Sequence, residues 1–154
     1  MVRILFYCLL ILFISCKPSA TSSYEELDLL SYGMPISVLA PPGAEVKKED
    51  LGVMQSIIVK GEQYNVQIYS SQSQTIDVEK AKRQALEDAK NGRYFSKIIE
   101  EEDGGFVFEK DVDGTIIYDF RHIKIMGDKE FIFQKGLMGT YTEEEVRTMY
   151  EAVK

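Results

Sequence analysis

Tyr64-Asn65-Val66-Gln67-Ile68-Tyr69-Ser70 alternates apolar and polar residues, whereas Val78-Glu79-Lys80-Ala81-Lys82-Arg83-Gln84-Ala85-Leu86-Glu87-Asp88-Ala89, a few residues on, repeats its apolar residues every three or four. A period of two belongs to a strand, with Tyr64, Val66 and Ile68 on one face and Asn65 and Gln67 on the other. The second period belongs to an amphipathic helix, with Asp77 or Thr75 placed to cap it and Gly92 placed to end it. A strand followed by a helix whose stripe is mostly alanine predicts a helix lying close against a sheet, so the fold class is α+β. Glu79 and Arg83 stand one turn apart and are expected to pair on the wet face.

C-terminal to that helix, the sequence predicts four strands, Phe95 to Glu102, Phe106 to Asp111, Thr115 to Met126 and Glu130 to Lys135. They are punctuated by Asp103-Gly104, Asp113-Gly114 and Gly127-Asp128, dipeptides that accept the positive φ of short hairpins, and an antiparallel meander follows. Thr142 and Glu145 form a capping box ahead of Val146, Met149, Tyr150 and Val153 on one helical face, so a terminal helix closes the domain.

N-terminal to the opening stretch, Val53 to Lys60 and Ile36 to Ala40 read as strands, the latter stopped by Pro41-Pro42-Gly43, which removes ladder donors and permits a turn. Tyr24 to Leu30 mixes apolar and acidic residues and fits either a short helix or an extended lead-in. The whole is an antiparallel β-sheet with a central amphipathic helix and a C-terminal helix. With 154 residues there is room for one core, which needs no disulfide or metal staple at this size.

The formal charge is -7, from 25 acids against 18 bases, and no stretch concentrates basic residues. Nucleic-acid binding and adsorption to anionic lipid through a polybasic patch are both disfavoured. The two cysteines, Cys8 and Cys16, lie near the start of the chain, so the domain has no disulfide framework and its compartment is not legible from disulfides.

Residues 1–15 have the three parts of an export signal: a basic start at Arg3, an apolar run from Ile4 to Ile14, and the small residue Ser15 before Cys16. The run is shorter than the roughly 20 residues that a membrane-spanning helix requires. It breaks into Lys17-Pro18-Ser19-Ala20-Thr21-Ser22-Ser23, whose composition buries little apolar area and behaves as a flexible tether over 16–23, with the domain at 24–154. Loss of the leader removes Arg3 and makes the remainder more acidic by one unit. Cys8, inside the apolar run, reads as a hydrophobic filler discarded with it.

Leu12-Phe13-Ile14-Ser15-Cys16 resembles the lipobox of bacterial lipoproteins, with Phe13 where that motif more often has Leu, Val or Ile. The resemblance implies cleavage before Cys16, diacylglyceryl modification of its thiol and acylation, commonly with palmitate, of the new amino terminus. Several acyl chains suffice for stable attachment, at about 0.8 kcal/mol per buried methylene. An ordinary secretory signal cut nearby, for instance after Ala20, is the alternative. Lys17 follows the cysteine, where an Asp resembles an inner-membrane retention signal in some bacteria, so an outer-membrane lipoprotein facing the periplasm or the cell surface is the expected location.

Tyr32-Gly33-Met34-Pro35-Ile36-Ser37-Val38 leading into Pro41-Pro42-Gly43, with the order of elements after it, resembles the PsbP/Mog1-like group, an α/β/α sandwich. Ala44 stands where many members carry Trp. That resemblance implies an accessory or binding role, since the group shares no catalytic machinery.

Candidate chemistry is sparse. His122 is the only histidine, and with no cysteine in the domain it completes neither a usual zinc site nor a Cys-His pair. Asp119 is three positions away on the same strand and so faces the other way, which leaves His122 as a strand histidine bonded to a neighbour. Asp111-Val112-Asp113-Gly114 begins like a calcium loop, but Thr115-Ile116-Ile117-Tyr118 follows in place of ligands, and turn chemistry accounts for it. Glu100 to Asp103 reads as a solvated hairpin tip, with binding of a cation or a basic partner as the sharper alternative. Ser70 to Thr75 is a polar loop with no phosphate cradle or serine-hydrolase elbow, and a candidate to face a ligand. Tyr118 and Phe120, with Phe131 and Phe133 on the neighbouring strand, form core or line an apolar cavity.

The expectation is a non-enzymatic, membrane-anchored accessory or binding module, lipidated at Cys16, with an envelope protein partner. It has no cofactor, no metal site and no catalytic residue. A carrier of a small apolar ligand and a hydrolase are the alternatives.

Overall fold

The computed structural model describes residues 20–50, 52 and 54–154. The leader expected over 1–15, Cys16 and residues 17–19 of the tether lie outside the described residues, as does Val53, where the second strand was expected to begin.

The described residues form nine strands and two α-helices: β1 Glu25–Asp28, β2 Ser37–Ala40, β3 Glu45–Asp50, β4 Gln55–Gly61, β5 Tyr64–Gln72, α1 Val78–Lys90, β6 Phe95–Glu102, β7 Gly105–Val112, β8 Thr115–Met126, β9 Lys129–Lys135 and α2 Glu143–Val153. Seven strands make one antiparallel sheet in the order β3-β4-β5-β9-β8-β7-β6, and β1 and β2 form a separate two-stranded ribbon. The fold is α+β. The chain leaves the sheet's middle after β5, crosses it in α1 to the β6 edge, and returns through the expected meander until β9 pairs with β5.

Residues 24–30, readable as helix or extended chain, resolve into β1 followed by a turn of 3-10 helix at Leu30–Tyr32 that Gly33 ends at φ 92°. Strand β3 was not legible. Its sequence, Glu45-Val46-Lys47-Lys48-Glu49-Asp50, is almost wholly charged, which suits the outermost position, because charge on an edge discourages pairing with another chain.

Both helices end as their sequences prescribe. The Asp77 carboxylate accepts from the Lys80 amide at 3.1 Å at the start of α1, and the Gly92 amide donates to the Ala89 carbonyl past its end. In α2 the Thr142 hydroxyl accepts from the Glu145 amide while the Glu145 carboxylate accepts from the Thr142 amide, the reciprocal capping box. Three glutamates in its first turn complement the helix dipole. The Asp113-Gly114 hairpin has positive φ at both positions, 54° and 85°, as a type I′ turn demands.

The pleat divides the sheet into two unlike faces. On one, Ile57, Val59, Val66, Ile68, Phe120, Phe131 and Phe133 are buried against Val146, Met149, Tyr150 and Val153 of α2 and Val38 and Ala40 of β2. The Tyr64 hydroxyl donates to the Leu39 carbonyl at 3.0 Å, which fastens the ribbon to the sheet. On the other face Phe106 and Phe108 pack on Leu86, Ala85 and Ala89 of α1, with Phe95 and Ile98 beside them. This second core is smaller because α1 lies over the β6-β7-β8 side of the sheet. No described helix is long and apolar enough to cross a membrane.

Candidate functional site

Among the described residues no helix makes its principal contacts with the β3-β4-β5 part of the α1 face, and most side chains there are polar. Strand register places Lys47, Ile58, Gln67, Gln134 and Arg121 side by side across five strands. The next row on the same face runs Glu49, Ser56, Tyr69, Ile132 and Ile123. Within it Ser56 and Gln67 are buried, and the Gln67 amide nitrogen donates to the Ser56 hydroxyl at 3.0 Å. The Gln67 carbonyl oxygen is itself buried and has no hydrogen-bond partner. Burial raises the pKa of the Tyr69 phenol, Arg121 opposes the shift and Glu49 adds to it, so the hydroxyl is a neutral donor at neutral pH.

Asp119 anchors the border between the covered and uncovered halves. Its carboxylate is nearly inaccessible and accepts from Lys110 Nζ at 2.6 Å, an Arg121 guanidinium nitrogen at 3.0 Å, and the Phe120 and Lys135 amides. A buried carboxylate with several donors is fixed in place, and it orients Arg121 along the open face.

Where α1 meets this half there is a cleft of about 300 Å³. Ile123, Ile132, Ala81 and Ala85 line its apolar part, Ser71, Gln72, Gln74, Thr75 and Gln84 its neutral polar part, and Lys80, Asp88 and Glu130 bring charge to it. The polar run from Ser70 to Thr75, read from sequence as a candidate ligand-facing loop, thus contributes to a concavity bounded by both α1 and the sheet. The loop is held in shape by its own bonds: the Ser73 amide donates to the Asp128 carbonyl at 2.8 Å, and the Ser73 hydroxyl donates to the Thr75 carbonyl. Hydroxyls, amides and three charged side chains over an apolar floor bind by hydrogen bonding, charge and burial.

His122 lies on the opposite face from Asp119, as the alternation requires. It is 8% exposed and sits beside the rings of Phe133 at 5.6 Å and Tyr150 at 6.1 Å. It is not hydrogen-bonded to a neighbour through Nδ1, as expected from sequence: that atom is buried without a partner. Burial, with Lys124 and Lys154 nearby, lowers its pKa to about 4, so the ring is neutral and held by aromatic packing.

The acidic run from Glu100 reaches the β6-β7 hairpin tip, where Glu101 and Asp103 are exposed, and its glutamates are also ion-paired. Alternation sends Glu101 to the α1 face, where Lys82 reaches it at 3.5 Å, and sends Glu100 and Glu102 to the other, where they pair with Arg147 and Lys154. Lys82 also meets Glu79 at 2.9 Å and donates to the Glu102 carbonyl, so Glu79 pairs one residue short of the Arg83 expected. Three consecutive acids therefore clamp both ends of the fold to the β6 edge, and the basic partner is the chain itself. The carboxylates of Glu100, Glu102 and Glu151 lie within 4.8 Å of one another, the geometry of a cation site, but Arg147 and Lys154 already neutralise them.

Asp111 accepts from the Gly114 amide at 2.7 Å, which is turn chemistry. Phe120, Phe131 and Phe133 are core, and Phe120 packs on Tyr150 at 5.8 Å. Sequence reasoning missed Gln67, Ser56, Arg121 and Gln134 as a set. Their positions on alternating strands were readable, but their adjacency depends on β9 pairing with β5 across the 56 residues between Gln72 and Lys129.

No protein-family model, no curated protein and no solved structure matches this chain.

Proposed function

We propose that the chain is a lipid-anchored protein of the bacterial cell envelope, with acyl chains on Cys16 and a domain that acts as a non-enzymatic binding module. The observation that carries the binding part is the polar half-face beside α1. A seven-stranded sheet covered on one side by a helix and a ribbon is left, on the other, with an array of fixed hydrogen-bonding groups and an adjoining cleft. Such a surface suits an envelope protein partner. The anchoring part rests on Cys16 at the junction of an apolar run and a polar segment. Outer-membrane residence follows from Lys17 after the cysteine, and the helix on each face fits a PsbP/Mog1-like reading of the fold.

A carrier of a small apolar ligand is less well supported, because the aromatic strands that would line its cavity are packed against α2. A hydrolase is less well supported again, since His122 is neutral, buried and separated from Asp119 by the sheet.

Cys16→Ala tests the anchoring. The unaltered protein incorporates radiolabelled palmitate and sediments with membranes, and the variant does neither. Label retained by the variant refutes the assignment.

A further inference from the structure

Two large apolar side chains stand in solvent at one end of the sheet. Leu137 and Met138, in the loop between β9 and α2, are 79% and 76% exposed. The loop that presents them is held by bonds at both sides. The Gly136 amide donates to the Asn65 carbonyl at 2.7 Å, and the Asn65 side-chain nitrogen donates to the Met138 carbonyl at 2.8 Å. Gly136 has no room for a side chain, because a Cβ there would come within 2.1 Å of the Asn65 amide. Gly139 adopts φ 93° with the Tyr141 ring against it. A loop built this firmly around two exposed apolar residues spends its order on presenting them.

The first described residue, Ala20, is at the same end. It borders a depression shared with Pro42, Gln63 and Thr142. Gln63 is two residues from Asn65, which holds the loop, and Thr142 follows the loop at the start of α2. Three residues lie between Cys16 and Ala20, so the reach is at most about 14 Å. Ile76, 89% exposed, lies at the far end: Ser73 bonds to Asp128 in the β8-β9 turn, and the length of β9 puts that turn roughly 20 Å from Lys135.

We infer that Leu137 and Met138 insert into the surface of the bilayer that holds the Cys16 acyl chains, fixing the domain's orientation with the β9-α2 loop down. This rests on the lipidation of Cys16 proposed above. Two side chains bind a membrane weakly by themselves, but the anchor makes the contact intramolecular and raises its effective concentration. Glu62, Glu144 and Glu145 around the depression make the contact apolar, without attraction to anionic headgroups, so a zwitterionic surface suffices. In this pose β3 to β9 run away from the membrane and the polar half-face stands sideways to it, open to a partner.

The chain contains no tryptophan, so one introduced indole reports its own position. Leu137→Trp and, separately, Ile76→Trp are made in the full-length lipidated protein and reconstituted into phosphatidylcholine vesicles containing brominated acyl chains. Acylation of Cys16 is checked by mass. The expected result is blue-shifted emission with most of the intensity lost for Leu137→Trp, and unshifted, unquenched emission for Ile76→Trp. Acylated protein with unquenched emission from position 137, or equal quenching at both positions, overturns the contact and leaves the anchor standing. Absence of the acyl mass overturns the anchor and the contact together.

Discussion

The two faces of the seven-stranded sheet are built from the same alternating strands and have opposite fates. On one, aromatic and branched side chains from β4, β5, β8 and β9 are sealed by α2 and the β1-β2 ribbon. On the other, α1 covers the β6-β7-β8 side, and Gln67, Tyr69, Gln134 and Arg121 extend beyond it. Phe133 and Gln134 are adjacent in sequence and belong to different worlds. The larger core lies on the first face, and the second is divided between a smaller core under α1 and a polar half.

The largest separation between the faces is expected from that adjacent pair. Phe133→Ala removes a fully buried ring and should cost about 3 to 5 kcal/mol in denaturant unfolding. Comparable losses from Phe133→Ala and Gln134→Ala would break the distinction.

Asp119 is the exception that sharpens it, a buried charge on the polar face. Asp119→Ala strands Lys110 and Arg121 and leaves the Phe120 and Lys135 amides without this acceptor, so a loss of about 2 to 4 kcal/mol is expected by the same measurement. A near-neutral result would mean that the cluster is solvated.

His122 is the matching exception on the apolar face. Its pKa is lowered on folding, from 6.5 to about 4, so the unfolded chain takes up the proton first. Stability from this group is complete above pH 6.5 and falls as the pH drops from there toward 4. Between pH 7 and pH 5 the loss should be on the order of 1 to 2 kcal/mol. In thermal melts across that range, His122→Gln should flatten the dependence, and an unchanged slope would assign it to other groups.

The smallest effect belongs to the open half. Gln134→Ala should change stability by less than about 0.5 kcal/mol. A larger loss would show that the polar array is structural.

Much of this contrast was legible in the sequence. Tyr64 to Ser70 and Val78 to Ala89 declared their periods, and Thr142 with Glu145 marked where α2 begins, because caps and alternation are local physics. Strand β3 was illegible because edge charges replace the apolar signal that a buried strand carries. The partners of Glu100, Glu101 and Glu102 were illegible because alternation splits a run of like charge between helices more than a dozen residues away. Alternation reveals which side chains share a face, but how much of that face a helix covers depends on where α1 lands. The half-face at Gln67 and Arg121 therefore emerged only with the sheet order.

Photocrosslinking in intact cells tests the central claim most directly. A benzophenone amino acid is placed at Gln134 on the open half, and in a second strain at Lys154, where α2 ends. The account predicts one discrete heavier adduct from position 134, absent from position 154. Adducts of equal yield from both positions, or none from position 134, would contradict it.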